Sequence, residues 1–264
     1  MCKEHNSLER IAGTPAAHNS TAGQDADIGL IDDLVTANHI LFDQGVVDAF
    51  GHVSVRHDKR PDRFLLSRNM APALVAAGDI LEFDLDATPV GAGEHSVYLE
   101  RFIHAEIYRA RPDVMAVVHS HSQSVIPFCV VPSVPLRPVY HMGSFLGEGA
   151  RVFEICDHAG ESSDMLISNA NLGQALAAAI GESAVILMRG HGSTVVAGSL
   201  KLAVYQAVYT EISARIQAEA LRLGPVRYLS AGESMAANVN IGKQVSRPWE
   251  LWKKQVEKKR ILPE

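Results

Sequence analysis

Two short, almost continuous apolar segments constrain the fold most strongly. Val114–His119 (VMAVVH) and Ala184–Met188 (AVILM) have the length and composition of strands that are buried on both faces. A helical pattern precedes each segment, at residues 98–110, which Pro112 ends, and at residues 172–180. Because a strand buried on both faces needs a layer on each side, the sequence predicts an α/β protein with helices on both faces of a mixed sheet.

The remaining pattern predicts one domain. Further helices are expected at 28–44 and 199–223, and further strands at 50–56, 64–67, 79–84 and 151–155. No repeat or long linker divides the chain. We therefore expect a mobile arm at 1–27 and a single domain at 28–264, with an amphipathic, basic tail at 247–260.

The composition excludes several classes of function. The chain has 264 residues, a formal net charge of -6 and three cysteines without CxxC spacing. A net negative charge argues against general binding to nucleic acid or an anionic membrane, since both require a basic face. Sparse cysteines are typical of a reducing compartment. No apolar run reaches the roughly 18 residues of a membrane span, and residues 1–27 lack the apolar centre of a signal peptide. We expect a cytoplasmic protein that acts on a small molecule, without nucleic-acid or membrane partners.

Three histidines follow the two apolar strands. His119 and His121 point to the same face because side chains in a strand alternate with period two, and His191 lies between two glycines in Arg189–Gly192. If the two strand ends converge, three imidazoles leave open positions on a divalent ion, as in catalytic metal sites. The alternative to a metal site is that His119 and His121 form a His-x-His pair by chance and that His191 is a turn histidine held by hydrogen bonds.

Glu100 begins the helix before the His-x-His strand. A carboxylate there most often complements the helix dipole. If the start of the helix lies beside the end of the strand, Glu100 can instead ligate the metal or transfer a proton.

The order of five short segments resembles the class II aldolase/adducin family over about residues 30–225. The segments are GHVSVR at 51–56, ERFIH at 100–104, RPD at 111–113, VVHSH at 117–121 and RGHG at 189–192. The resemblance implies a three-layer α/β/α sandwich around a mixed, mostly antiparallel sheet, and a homotetramer with active sites at subunit interfaces. It also implies one divalent metal ion bound by His119, His121 and His191, with Glu100 as a further ligand or as an acid/base. Such a ligand set accepts Zn²⁺, Co²⁺ or Fe²⁺ as well as Mn²⁺, which is our first choice.

The chain departs from the sugar-phosphate aldolases of that family. Those enzymes carry Gly-Asn, Thr-Gly and Ser-Ser at positions that bind substrate and phosphate, where this chain has Gly51-His52, Ser67-Arg68-Asn69 and Tyr98-Leu99. The donors of a phosphate cradle are therefore missing. His141 stands where the aldolases place a tyrosine that the adjacent subunit contributes.

These variants resemble a decarboxylase branch of the family that acts on hydroxylated phthalates and pyridine dicarboxylates. Loss of CO₂ from such a ring is chemically similar to a retro-aldol reaction. A bound metal ion would stabilise the negative charge that develops on the enolate or phenolate oxygen. We expect Glu100 or His52 to protonate the ring and His141 of a neighbouring subunit to line the pocket.

Carboxylate binding is expected from Ser67 and Arg68, and from Arg56 or Arg189, since guanidinium groups bind carboxylates in a bidentate manner. An exposed arginine without a ligand is the ordinary alternative. Two other functions stay open: a sugar-phosphate aldolase or epimerase, and a non-catalytic, adducin-like assembly domain.

Overall fold

A computed structural model describes residues 25–91 and 93–261 of the chain. The predicted mobile arm at 1–27 lies outside the described residues, except for its last three. Within these ranges, no helix is long and apolar enough to cross a membrane.

One mixed sheet of eight strands runs through the centre of the domain. Its order is β4-β3-β2-β1-β5-β8-β7-β6, and every neighbouring pair is antiparallel except β6 and β7. The strands are β1 (His52–Arg56), β2 (Arg63–Ser67), β3 (Ile80–Asp84), β4 (Pro89–Val90), β5 (Ala116–Ser120), β6 (Arg151–Phe153), β7 (Val185–Met188) and β8 (Gly192–Ala197). The predicted mixed, mostly antiparallel sheet is confirmed.

Eight α-helices cover this sheet in the described part of the chain. They are α1 (Ile28–Asp43), α2 (Arg101–Ala110), α3 (Ile126–Val130), α4 (Cys156–Ala159), α5 (Ala170–Ile180), α6 (Leu200–Leu223), α7 (Ala231–Gly242) and α8 (Ser246–Ile261). The buried side chains of α1, α6 and α8 share one apolar cluster, and those of α2 and α5 share another. Two clusters on opposite faces of one sheet make the predicted three-layer α/β/α sandwich.

The alternation of side chains in β5 decides on which face the histidines lie. Val118 belongs to the cluster under α1 and α6, whereas Val117 belongs to the cluster under α2 and α5. His119 lies two residues after Val117 and therefore on the same face. This face is the one on which α2 begins, next to Glu100.

Two elements go beyond the predicted pattern. Strand β8 begins at the last glycine of the RGHG segment, where the glycines indicated only a turn. Helix α7 lies in a stretch for which the sequence pattern predicted no helix. The predicted tail forms α8, whose Trp249 and Trp252 are buried against α1 and α6 of the same chain.

Candidate active site

The sheet brings the three predicted histidines together. In the β5–β8 ladder Ser120 pairs with Ser193, so the end of β5 lies beside the start of β8. Strands β7 and β8 form a hairpin in which Met188 pairs with Gly192, and His191 lies in its turn. Gly192 has φ +154°, and a Cβ atom there would lie 2.0 Å from the carbonyl oxygen of Ser120. Only glycine allows this approach, which brings His191 close to His121.

Four ligand-type atoms converge at this point. The Nε2 atoms of His119 and His121 are 3.3 Å apart, and those of His121 and His191 are 3.0 Å apart. Oε2 of Glu100 lies 3.5 Å from Nε2 of His119 and 3.4 Å from Nε2 of His191. The ligand atoms of the four residues all lie within 4.8 Å of one another.

Hydrogen bonds on the outer side hold these groups in place. Nδ1–H of His191 donates to the carbonyl oxygen of Met165 at 2.8 Å, so its Nε2 carries the lone pair that faces the cluster. Met165 has φ +71°, a left-handed conformation that costs a non-glycine residue about 1–2 kcal/mol. Oε1 of Glu100 accepts from the backbone N–H of Ile167 at 3.0 Å. Glu100 therefore does not cap α2 but turns its second oxygen to the histidines.

Burial and mutual charge set the protonation of the cluster. Burial, with the neighbouring His119 and His191, lowers the pKa of His121 to about 4. Burial also lowers the pKa of His119, although Glu100 opposes this effect. Burial would raise the pKa of Glu100, but the adjacent His119 and His191 outweigh it and hold that pKa well below its usual range. At His191, burial would lower the pKa, but the hydrogen bond and the charge of Glu100 outweigh burial and raise it.

The donor set fits a divalent metal ion. Ligands at about 2.0–2.1 Å from a tetrahedral ion are separated from one another by about 3.3–3.4 Å. Four of the six separations in the cluster, at 3.0–3.5 Å, agree with this spacing, and all six are within 4.8 Å. A three-histidine site with one carboxylate accepts several divalent metals.

A cavity of about 320 Å³ opens beside the cluster. His52, Asn69, Glu100 and His121 are its polar lining residues. Its apolar walls include Phe50, Met70, Tyr98, Leu99 and Leu166. Its volume is within the range of small-molecule binding sites. The described lining residues include no lysine or arginine, so no cationic side chain faces a phosphate group there.

His52 lines this cavity and continues into the protein through a chain of buried polar groups. Its Nδ1 lies 2.7 Å from Nε2 of His104, whose Nδ1 lies 2.6 Å from Oγ of Ser54. The same Oγ lies 2.8 Å from the hydroxyl of Tyr108. Burial lowers the pKa of His52, and it lowers the pKa of His104 to about 3. The sequence pattern predicted no role for His104. It lies four residues after Glu100, which directly precedes α2, so the two side chains lie on the same side of the helix.

Two of the predicted carboxylate-binding arginines have other partners. The buried guanidinium of Arg56 donates to four backbone carbonyl oxygens and stacks on Tyr108, away from the cavity. Arg189 pairs with Glu154 and reaches Sγ of Cys156 at 3.1 Å, behind the turn that carries His191. The structure thus does not bring Arg56 or Arg189 to the cavity, and we no longer assign substrate binding to them.

The other predicted residues also lie outside the cavity lining. Ser67 is buried, and its Oγ lies 3.2 Å from the hydroxyl of Tyr98, so it supports a wall of the cavity. Arg68 pairs with Asp79 at 2.7 Å. His141 is exposed on a 3-10 helix at His141–Leu146. Its contribution to a neighbouring subunit stays a prediction.

Comparisons with known proteins agree with the motifs. Residues 32–218 match the family described as the class II aldolase and adducin N-terminal domain. The decarboxylase tropJ of Talaromyces stipitatus is 39% identical over 246 residues, which are 84% of this chain and 92% of that protein. A 3,4-dihydroxyphthalate decarboxylase of Arthrobacter keyseri is 32% identical over 205 residues, with 72% and 78% covered.

The fold also matches solved structures. An L-fuculose 1-phosphate aldolase from Glaciozyma antarctica superposes with a TM-score of 0.71 over 87% of this chain and 88% of that one. The two sequences are 21% identical, so this likeness concerns the fold alone.

Proposed function

Since the chain belongs to the class II aldolase and adducin family, we propose that it is a divalent-metal-dependent carboxy-lyase. Its substrate is a hydroxylated aromatic or pyridine mono- or dicarboxylate, which loses one CO₂ in a catabolic pathway. The observation that carries the proposal is the similarity to the two decarboxylases over most of their length. The converging His₃–Glu cluster beside an apolar-walled cavity supports it.

The reaction consumes one proton. The ring carbon that bears the carboxylate gains a proton and forms the keto tautomer. The bond between that carbon and the carboxylate then breaks, its electron pair restores the aromatic ring, and CO₂ leaves. A divalent ion held by His119, His121, His191 and Glu100 would supply Lewis-acid polarisation of the substrate's oxygen atoms.

The cavity residues bind the ring and exclude water from it. Phe50, Leu99 and Leu166 offer apolar surface to the faces of a flat ring. On the polar side, His52 and Glu100 can exchange a proton with the substrate, and Asn69 can hydrogen-bond to it. Glu100 either completes the ligand set or carries the proton to the ring carbon.

The two alternative functions fit the site less well. A sugar-phosphate aldolase or epimerase needs donors for a phosphate, and the described lining residues include no lysine or arginine. A non-catalytic, adducin-like assembly domain has no need for a preserved ligand set, whereas all four ligand residues are present and converge here.

We further propose Mn²⁺ as the native ion and a homotetramer with active sites at subunit interfaces. At the rim of the cavity Phe50 and Leu99 are 66% and 60% exposed, which suits coverage by a neighbouring subunit. Metal analysis of the purified protein and its mass in solution test these two points.

The proposed function is tested by CO₂ release. The protein is stripped with a chelator, reloaded with Mn²⁺ or Zn²⁺, and incubated with ortho-hydroxybenzoates, dihydroxyphthalates and hydroxypyridine dicarboxylates. We expect metal-dependent release of one CO₂ from at least one compound, with a product of matching mass. His119→Ala should lose turnover, and the exposed His95→Ala should retain it. Retro-aldol cleavage of a sugar phosphate without CO₂ release from any carboxylate would favour the aldolase.

A further inference from the structure

Four buried polar side chains form a continuous chain behind the cavity. It runs from the hydroxyl of Tyr108 through Oγ of Ser54 and the ring of His104 to Nδ1 of His52, with separations of 2.8, 2.6 and 2.7 Å. Ser54 and His104 are fully buried, and Tyr108 and His52 are almost so. Protons inside such a chain can only be arranged in a few ways.

The phenol of Tyr108 sets the direction of the chain. Burial raises the pKa of Tyr108, so the phenol keeps its proton. In the part of the chain that the structure describes, two groups hydrogen-bond with this hydroxyl: Oγ of Ser54 at 2.8 Å, and the backbone N–H of Val117, which can only donate. Tyr108 therefore donates to Ser54, because a buried hydroxyl without an acceptor is costly.

The remaining donors follow in order. Once Oγ of Ser54 accepts from Tyr108, its own proton has one acceptor left, Nδ1 of His104. A histidine that accepts at Nδ1 carries its proton on Nε2, so His104 donates to Nδ1 of His52. His52 is then unprotonated at Nδ1 and carries its proton on Nε2.

We propose that His104 is a positioning residue that holds His52 in the neutral Nε2–H tautomer, so that His52 meets the substrate as a hydrogen-bond donor. The tautomer itself follows from the hydrogen-bond chain, and its use in the reaction rests on the proposed carboxy-lyase function. Oxygen atoms of a hydroxylated carboxylate are the acceptors that match such a donor.

The hydrogen-bond chain also limits what His52 can do in the reaction. Suppose that His52 gave its Nε2 proton to the ring. To become neutral again through Nδ1, His52 would take a proton from His104, which would take one from Ser54, which would take one from Tyr108. Tyr108 would then be left as a buried tyrosinate. That end state is unfavourable because burial opposes the charge. His52 thus serves as a hydrogen-bond donor to a substrate oxygen and not as the proton donor to the ring carbon.

Two substitutions of His104 distinguish positioning from general structural support. In His104→Gln the amide oxygen can accept from Ser54 and the amide nitrogen can donate to His52, so the direction of the chain is kept. In His104→Leu a similar volume is filled, but Nδ1 of His52 loses its donor. We expect His104→Gln to stay within a few-fold of the wild-type kcat and His104→Leu to lose roughly 10- to 100-fold, the range typical of outer-shell partners.

The tautomer is read directly by nitrogen NMR. The complete chain is labelled with ¹⁵N-histidine and loaded with diamagnetic Zn²⁺, and the signals of His52 are assigned with a His52→Asn variant. We expect the wild type and His104→Gln to show an unprotonated Nδ1 and a protonated Nε2 at His52. In His104→Leu the preference for this tautomer should be reduced. Melting temperature and zinc content verify that each variant is folded and loaded.

The possible results each decide the question. A proton on Nδ1 of His52 in the wild type would overturn the proposal, as would equal loss of kcat in folded, metal-loaded His104→Gln and His104→Leu. If no carboxylate of the panel is turned over, the proposed function fails, but the NMR spectrum still supports or overturns the tautomer that His104 imposes.

Discussion

Nε2 of His121 lies 3.0 Å from Nε2 of His191, although 70 residues separate the two histidines in the chain. They meet because β5 and β8 are neighbours in the sheet and the β7–β8 turn carries His191 over the end of β5. Two ring nitrogens at this distance, with a carboxylate next to them, form a site that a cation stabilises.

Removal of one imidazole should weaken metal binding. We expect His191→Ala to lower the affinity for Zn²⁺ or Mn²⁺ by roughly 100-fold or more, since even outer-shell changes cost 10- to 100-fold. Dialysis against a competing chelator measures the affinity. The exposed His95→Ala is the matched control and should bind metal like the wild type. Unchanged binding by His191→Ala would place the metal elsewhere.

Glu100 can be tested without a change in shape. In Glu100→Gln the side-chain oxygen can still accept from the backbone N–H of Ile167, but the group can no longer transfer a proton. We expect kcat to fall roughly 100-fold or more, as for loss of a general acid or base. Metal affinity should fall less than in His191→Ala. The exposed Glu94→Gln serves as control, and a kcat equal to wild type would remove Glu100 from proton transfer.

Arg56 should matter for stability and not for substrate binding. Its guanidinium donates to the carbonyl oxygens of Pro61, Tyr108, Arg111 and Val114. Replacement by methionine leaves these four acceptors without the donor, at a cost of about 2–4 kcal/mol in the free energy of unfolding. Urea denaturation measures this loss. The KM of the folded Arg56→Met enzyme should equal that of the wild type, and a large rise in KM would restore Arg56 to the substrate site.

Buried histidines should make the metal-free protein less stable in acid. Burial lowers the pKa of His104 to about 3, whereas an unfolded histidine titrates near 6.5. The unfolded chain therefore binds this proton first, and the contribution of His104 is lost progressively as the pH falls from about 6.5 towards 3. Between pH 7 and pH 5 the wild type should lose about 2 kcal/mol more stability than His104→Gln. Urea denaturation at both pH values, with a chelator present, measures the difference. Equal losses in the two proteins would show that His104 is not held neutral.

The apolar rim of the cavity should contribute to substrate binding. Phe50 is 66% exposed and lines the cavity beside Gly51. We expect Phe50→Ala to raise KM for the active aromatic carboxylate roughly two- to tenfold, since a ring contact contributes about 0.5–1.5 kcal/mol. Leu223→Ala, at an exposed position far from the cavity in the sequence, is the control. Metal content should be the same in both variants. An unchanged KM in Phe50→Ala would separate Phe50 from the substrate.

Local patterns predicted the layers of this fold well. The apolar strand before His119 and the helix that begins near Glu100 have periodicities that depend on neighbouring residues only. Strand β8 was not predicted because Gly190 and Gly192 indicate a turn, and its place beside β5 depends on pairing with distant residues. The polar chain behind His52 was also missed, although the sequence contains two signals for it. Ser54 follows His52 by two residues in a strand, so both point to the same face. His104 lies one helical turn after Glu100, so it is on the side of α2 that faces the cluster.

The sequence by itself determined the family, the sandwich of helices around a mixed sheet, and the four residues of the His₃–Glu cluster. These conclusions rest on residue types at fixed spacing, which a chain carries before it folds. Only the tertiary structure decided that Arg56 hydrogen-bonds to backbone carbonyl groups and that Arg189 pairs with Glu154. It also decided that a chain of hydrogen bonds connects His52 to Tyr108. The physical reason is that a long polar side chain binds whichever acceptor the packing of distant elements places within about 3 Å. Residue type and spacing along the chain do not determine which acceptor lies at that distance.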